Sequence, residues 1–274
     1  MELRGRTTIV TGAGSGVGRA LALEFARQGA SVVCAGRRKE RLDETVAMMD
    51  QPDRVGLAVA TDVTDPAQVE HLVTAALERF GRIHVLFNNA GSFGAIGGLW
   101  QVDPASWWHD VTVNLRGPML CCRAVLEHMM SHDEGILLNM TGGGGTSPLA
   151  GGSGYGCSKA ALIRLTDTLA AELRRAGSSV LVFAMGPGFV RTEMTMRQVT
   201  TPEGLEWIPS SKEALDAGKD RPPEDCARSA VELLRIARPE LSGRIFGTGT
   251  DFQRILADLD RIQRDDLHTL RMRR

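Results

Sequence analysis

The 274-residue chain contains a single tyrosine, Tyr155, and aromatic residues make up only 5% of it. It has no apolar run near the roughly 20 residues that cross a bilayer, so no membrane partner is expected. Met1 to Arg6 lead directly into a strand-like run without the apolar core of an export signal. Charge of one sign is missing too: 32 Lys+Arg against 33 Asp+Glu leave a formal −1, which gives nucleic acid no electrostatic footing. The five cysteines (Cys34, Cys121, Cys122, Cys157, Cys226) have no Cys-x-x-Cys or Cys/His ligand spacing, and the six histidines have no metal-ligand spacing either. No metal is expected, and an odd, scattered cysteine set fits a reducing cytoplasm better than a disulfide framework.

What the chain does have is alternation. Thr7 to Val10 is a β-branched run, followed at once by the glycine-rich stretch Thr11 to Gly18. An apolar helical set (Val17, Leu21, Leu23, Phe25, Ala26) then ends at Gln28-Gly29, and Ser31 to Ala35 is the next strand. A strand, glycine turn, helix and strand within about 30 residues have the spacing of a βαβ nucleotide unit. Further helices are predicted over Lys39 to Met49, Pro66 to Phe80 (with Asp65 as N-cap), about Pro104 to Ser131, and Lys159 to Arg175. Strands are predicted at Val55 to Ala60, Val85 to Phe87, Ile136 to Asn139 and Val180 to Ala184. The pattern predicts an α/β fold, a Rossmann-type doubly wound parallel sheet with helices on both faces, in one domain over 1–274. Across 186–221 the rhythm breaks and no clean periodicity remains. A helix from Pro222 to Ile236, a last strand near Arg244 to Thr248 and a charged, weakly helical tail over 251–274 complete the chain.

The lone tyrosine stands four residues before Lys159, so on a helix the two side chains share a face. An ammonium beside a phenol favours phenolate, which makes Tyr155 and Lys159 a candidate acid/base unit. In the glycine turn, Gly12 permits the tight exit from the strand, and Gly16 and Gly18 let a pyrophosphate approach the backbone at a helix N-terminus.

The spacing Thr-Gly-x-x-x-Gly-x-Gly, together with Asn88-Asn89-Ala90-Gly91, Asn114, Tyr155-x-x-x-Lys159 and Pro187-Gly188 through Thr192, resembles the short-chain dehydrogenase/reductase family over essentially the whole chain. The resemblance implies a nicotinamide dinucleotide and hydride transfer between a secondary alcohol and a ketone, with a small-molecule alcohol or carbonyl as substrate. Tyr155 would act as acid/base, and Lys159 would lower its pKa and bind the nicotinamide ribose. Asn114 would hold a water that links the lysine to solvent. Cofactor contacts would come from Gly12, Ser15, Gly16, Val17 and Gly18, from Asp62 and Val63, from Asn89, Ala90 and Gly91, and from Pro187, Gly188, Val190 and Thr192. Where NAD-using relatives place an acidic residue after the second strand, this chain has Gly36-Arg37-Arg38. Two guanidiniums and no carboxylate favour NADP(H), with NAD(H) as the other candidate.

One position departs from the family pattern. The catalytic serine expected thirteen residues before the tyrosine is replaced by Gly142, and Thr141 is the neighbouring hydroxyl expected to substitute, through rotation of the glycine loop 142–145. Segment 186–221 takes the place of a substrate lid, with Met194, Met196, Leu205 and Trp207 as its apolar wall. A homo-oligomer, tetramer or dimer, is expected through the helices near 104–131 and 155–176, where Ala160, Ala161, Ala170 and Ala171 would allow close packing. The competing reading, kept open by Gly142, is a cofactor-binding regulator or scaffold of the same fold with little or no turnover.

Overall fold

The β-branched and apolar runs pair into one parallel seven-stranded sheet. The computed structural model describes residues 1–51 and 55–271, so the last three residues of the predicted tail lie outside it. The strands are β1 Thr7–Thr11, β2 Ser31–Gly36, β3 Gly56–Ala60, β4 Val85–Asn88, β5 Ile136–Met140, β6 Leu181–Gly186 and β7 Ile245–Gly247, in the order β3-β2-β1-β4-β5-β6-β7. Val10 of β1 is in register with Cys34 of β2 on one side and Phe87 of β4 on the other. Chain order therefore reverses direction between β1 and β4, which is where a doubly wound sheet opens a crevice at its carboxyl edge.

Adjacent residues of a strand face opposite sides, and each side has its own core. Val10 joins Leu21, Phe25, Phe87, Phe183 and Phe246 on one face, whereas Ile9 joins Leu72, Leu86, Met129 and Leu137 on the other. The first face is covered by α1 (Gly16–Arg27) and α10 (Pro223–Ile236). The second is covered by α3 (Pro66–Phe80), α5 (Gly117–Ser131) and α6 (Ser153–Arg175). Helix α2 is Lys39–Ala47. As expected, Asp65 caps α3, accepting from the Ala67 and Gln68 amides at 2.9 and 3.3 Å.

Three elements differ from the sequence-based expectation. The long helix near 104–131 is two helices, α4 (Pro104–Val111) and α5, joined by a π-helical turn over Thr112–Arg116. Pro118 is the physical reason: it has no N–H to give Asn114, four residues earlier, and the Gly117 amide bonds instead to the Thr112 carbonyl, five residues back. Helix α6 begins at Ser153, so Tyr155 lies inside its first turn rather than ahead of it. Segment 186–221 contains three short helices, α7 (Glu193–Thr200), α8 (Pro202–Trp207) and α9 (Pro209–Asp216). The tail folds as α11 (Phe252–Ala257) and α12 (Leu259–Arg264).

Candidate active site

At the carboxyl edge of the sheet, the turn after β1 and the turn after β4 are tied together by hydrogen bonds. Thr11 Oγ1 accepts from the Asn89 and Ala90 amides at 3.0 Å each, and Asn89 Nδ2 donates to the Thr11 carbonyl at 2.9 Å. This closeness is what demands glycine: a Cβ at Gly18 would collide with the Gly12 carbonyl and with Asn89 Nδ2. Gly16 has φ +52, and the Thr192 γ-methyl packs on it. Ser15 takes the N-cap position of α1 without a side-chain capping bond, so the helix's first amides and the Ser15 hydroxyl face a cleft of about 790 Å³. Asn88 has a different task from Asn89. Its Nδ2 donates to Asn139 Oδ1 at 2.9 Å, and Asn139 donates on to Thr166, binding β4 to β5 and to α6.

The cleft runs from this turn to Arg37 and Arg38 in one direction and to Tyr155 in the other. Gly36 ends β2 without a side chain, and Arg38 makes an exposed ion pair at 3.4 Å with Glu193 of α7. Asp62 Oδ1 accepts from the Thr64 amide and hydroxyl at 2.9 and 2.8 Å. Burial would raise its pKa, but those bonds and the Arg37 charge outweigh burial and hold it below the ordinary value. Val63 lies beside it and packs on Gly117. An exposed pair of guanidiniums, a glycine turn at the end of a twelve-residue helix and a cleft of this size together fit an elongated dinucleotide.

Tyr155 and Lys159 do share a face of α6. Lys159 is 3% exposed; its Nζ donates to the Met140 carbonyl at 2.8 Å and lies 5.5 Å from the centre of the Tyr155 ring. Burial lowers the lysine to about 8. The expectation of a phenol depressed by Lys159 is not met. Burial, and next the charge of Asp110, push Tyr155 up to about 12, because the ammonium is turned to a backbone carbonyl rather than to the phenol oxygen.

Asn114 is fully buried in the π-helical turn. Its amide donates to the Ser92 carbonyl at 2.8 Å and to Ser158 Oγ at 3.1 Å, and its oxygen accepts from the Ser92 amide at 2.9 Å. Ser158 in turn donates to the Tyr155 carbonyl at 2.6 Å. Asn114 therefore braces the backbone on both sides of the tyrosine and makes no direct bond to Lys159.

Around Gly142 the geometry is tight. A Cβ there would collide with Tyr155 Oη, so the tyrosine occupies the space a side chain at 142 would need. The hydroxyl of Thr141 is not turned to the cleft. Thr141 Oγ1 is buried on the Gly145 side without a hydrogen-bond partner among the described residues, whereas its methyl lies toward Gly186, which lines the cleft. A χ1 rotation, rather than movement of the glycine loop, would exchange the two groups. The hydroxyl of Ser153, at the start of α6, accepts from Trp107 Nε1 at 3.0 Å.

The remaining wall comes from the loop after β6. Pro187, Gly188 (φ +76), Val190 and Thr192 line the cleft, and Thr192 caps α7 in a reciprocal box with Thr195. Of the four apolar residues expected on this wall, only Met194 is there. Leu205 is exposed, Met196 does not reach the cleft, and Trp207 packs edge-on against Trp100 at 5.7 Å. Phe93, Leu149 and Ile208 line the cleft in their place. Gln198 and Ser211, a hydrogen-bonded pair at 2.8 Å, supply polar groups to the same wall. Thr11, Phe93 and Asp110 were not singled out from the sequence. An acid four residues before Asn114, at helical spacing from it, was the one signal available for Asp110. Among the described residues no cluster of His, Cys, Asp or Glu could hold a metal, and no helix is long and apolar enough to cross a membrane.

Comparison with known proteins identifies the family and the fold. The family model described as short chain dehydrogenase matches residues 6–203. The short chain dehydrogenase pigC of Monascus ruber is 33% identical over 271 residues, covering 97% of this chain and 86% of its own. Among solved structures, a short chain dehydrogenase/reductase from Burkholderia phymatum in complex with NAD superposes with a TM-score of 0.78 at 29% identity, over 100% of this chain and 99% of that one. Actinorhodin polyketide ketoreductase with NADPH gives a TM-score of 0.79 at 27% identity, over 88% and 95%.

Proposed function

The chain belongs to the short-chain dehydrogenase/reductase family and is a nicotinamide-dependent oxidoreductase, and from that premise we propose that it reduces a ketone to a secondary alcohol with NADPH, Tyr155 giving up the proton. The observation that carries this reading is the placement of Tyr155, one helical turn from a buried Lys159, in the same cleft as the glycine turn. When bound, the cofactor supplies the hydride, and the chain supplies the rest. The first amides of α1, with Gly12, Ser15, Gly16, Val17 and Gly18, would hold the pyrophosphate. Arg37 and Arg38 would pair with a 2′-phosphate, and Asp62 and Val63 would meet the adenine. Asn89, Ala90 and Gly91, with Pro187, Gly188, Val190 and Thr192, would flank the nicotinamide half.

A phenol kept protonated by burial and by Asp110 is in the form that a carbonyl oxygen needs as its alkoxide develops. Lys159 would bind the nicotinamide ribose and stabilise the phenolate left behind. Asn114 holds the Tyr155 turn against the Ser92 loop throughout. Thr141, after rotation about χ1, would donate to the substrate oxygen. Segment 186–221 would serve as the lid, with Glu193 meeting Arg38 across the cleft. A soluble, cytoplasmic homo-oligomer is the setting this reading assumes.

The test is a cofactor titration by fluorescence, followed by nicotinamide absorbance against a panel of ketones and secondary alcohols. NADPH should saturate at lower concentration than NADH, and Tyr155→Phe should bind cofactor normally but lose at least about a hundredfold in turnover. Turnover surviving in that variant would rule out Tyr155 as the proton donor. A second reading is favoured by one observation, the absence of any hydroxyl facing Tyr155 Oη from position 142. In that reading the chain is a cofactor-binding regulator, and tight cofactor binding with no turnover across the panel would support it.

A further inference from the structure

Asp110 is completely buried, and its side-chain hydrogen bonds all go to one loop, 92–95. Its Oδ1 accepts from Ser92 Oγ at 2.6 Å and from the Gly94 amide at 2.9 Å. Its Oδ2 accepts from the Gly94 amide at 2.9 Å and the Ala95 amide at 3.0 Å. Asn114 grips the same loop from the next turn, bonding Ser92 through both its amide and its carbonyl. Between these anchors stands Phe93, whose ring lies nearly parallel to that of Tyr155 (interplanar angle 16°, centroids 4.5 Å apart). Phe93 is itself buried and is the only aromatic ring stacked on the tyrosine among the described residues.

We propose that Asp110 is a positioning residue for Tyr155: its carboxylate clamps loop 92–95 so that Phe93 is stacked on the tyrosine and fixes the direction of its hydroxyl. The proposal rests on Tyr155 being the proton donor of the reaction proposed above. Only a carboxylate fits the clamp. Both oxygens accept from donors that cannot reverse, the Gly94 and Ala95 amides, so an amide side chain in either orientation would set its own N–H₂ against a backbone N–H. A ring stacked this closely restricts Tyr155 on the face it covers, and displacement of a reacting group by about 1 Å is enough to cost a hundredfold in rate. The negative charge beside the ring acts in the same direction as burial and opposes phenolate formation. Of the other charged and titratable groups on the elements packed here, Lys159 on α6 lies 5.5 Å from the ring centre, His109 on α4 lines the same cleft, and Arg197 on α7 approaches Gly94 through its Nη1.

Because Tyr155 is the only tyrosine, one isotope-labelled residue reports the arrangement without any need for turnover. In the full chain, the stacked Phe93 should shift the Tyr155 ring protons upfield. Phe93→Leu should remove that shift, and Asp110→Asn should remove it too with Phe93 still present. Should Asp110→Asn not fold, Ser92→Ala, which withdraws one donor only, should give a partial loss. On a ketone reduced by the wild type, Asp110→Asn should lower kcat about tenfold to a hundredfold with the cofactor KM unchanged. The pH limb belonging to Tyr155 should move down in Asp110→Asn and stay in place in Phe93→Leu, a separation that loss of packing alone would not give. An unshifted wild-type resonance, or one that survives Asp110→Asn or stays whole in Ser92→Ala, overturns the proposal. A chain that reduces nothing on the panel would refute the reaction instead and leave the resonance comparison decisive for the clamp.

Discussion

Thr141 is where residue-scale geometry sharpens a functional question. Its hydroxyl is buried with no protein hydrogen-bond partner among the described residues, and a buried hydroxyl without a protein partner costs about 1–3 kcal/mol against a satisfied one. Rotation toward the cleft therefore sacrifices no hydrogen bond, and a substrate oxygen would give the hydroxyl its missing partner. Thr141→Val removes the hydroxyl at nearly constant volume. The variant should be as stable as the wild type or slightly more so by urea unfolding, yet lose about a hundredfold in turnover, the scale of a missing oxyanion donor. Thr141→Ser, which keeps the hydroxyl and gives up only the methyl, should stay within a few fold of wild type. Equal turnover in the valine variant would show that the oxygen of the substrate is held by other donors. Tyr155 and Gly142 also explain each other at this scale: the phenol oxygen fills the space that a side chain at 142 would claim.

At the scale of elements, most strands were legible because short β-branched runs are bounded by glycine and asparagine turns, and β1, β2, β4 and β5 start or end within a residue of expectation. Tyr155 and Lys159 were legible because helical spacing alone puts them on one face. What was missed depended on information that spacing does not hold. The π-helical turn follows from a single missing donor at Pro118, and α7 to α9 are each too short for periodicity to show, although Thr201-Pro202 and Ile208-Pro209 mark two of their starts. The Asp110 clamp joins residues 15 to 18 apart through the path of an irregular loop. The amino end of β4 carries a prediction of its own. His84, 6% exposed, accepts the Thr7 amide on Nδ1 at 3.0 Å and so must be neutral, and burial, with Arg6 next, lowers it to about 4. Arg82, His128 and Glu134 are the other charged or titratable groups that act on it. The unfolded chain takes up that proton near 6.5 and the folded one only near 4, so its stabilisation is complete above about pH 6.5 and is lost as pH falls toward 4. At about 1.4 kcal/mol per pH unit the loss is about 2–3 kcal/mol. Urea midpoints of His84→Asn, which keeps an acceptor for Thr7 but cannot titrate, should fall less steeply over that window than those of the wild type.

At the scale of the whole molecule, the proposed chemistry is gathered at one edge of the sheet, and a separate surface exposes large apolar side chains. The order β3-β2-β1-β4-β5-β6-β7 places the glycine turn, Asn89 and Tyr155 around a single cleft at the carboxyl edge. On the flank formed by α4 and α5, Trp108 is 62% exposed, Met119 38% and Met130 40%. The two methionines are eleven residues apart, about three turns, and so share a face of α5. Small residues of α6 were expected to add to this surface, but Ala170 is buried inside the chain against Gly243, and only Ala160, Ala161 and Ala171 keep any exposure. Large apolar side chains exposed on two consecutive helices are costly to leave in water, and covering them with a second copy would remove that cost. The full chain should elute as a dimer or tetramer when its mass is measured by light scattering during size-exclusion chromatography. Joint replacement Trp108→Asp and Met119→Asp would bury two unpaired carboxylates in such an interface, and should shift the mass to that of one chain while leaving the circular dichroism spectrum unchanged. A wild-type chain that remains a monomer at micromolar concentration would show that this flank has another partner or none.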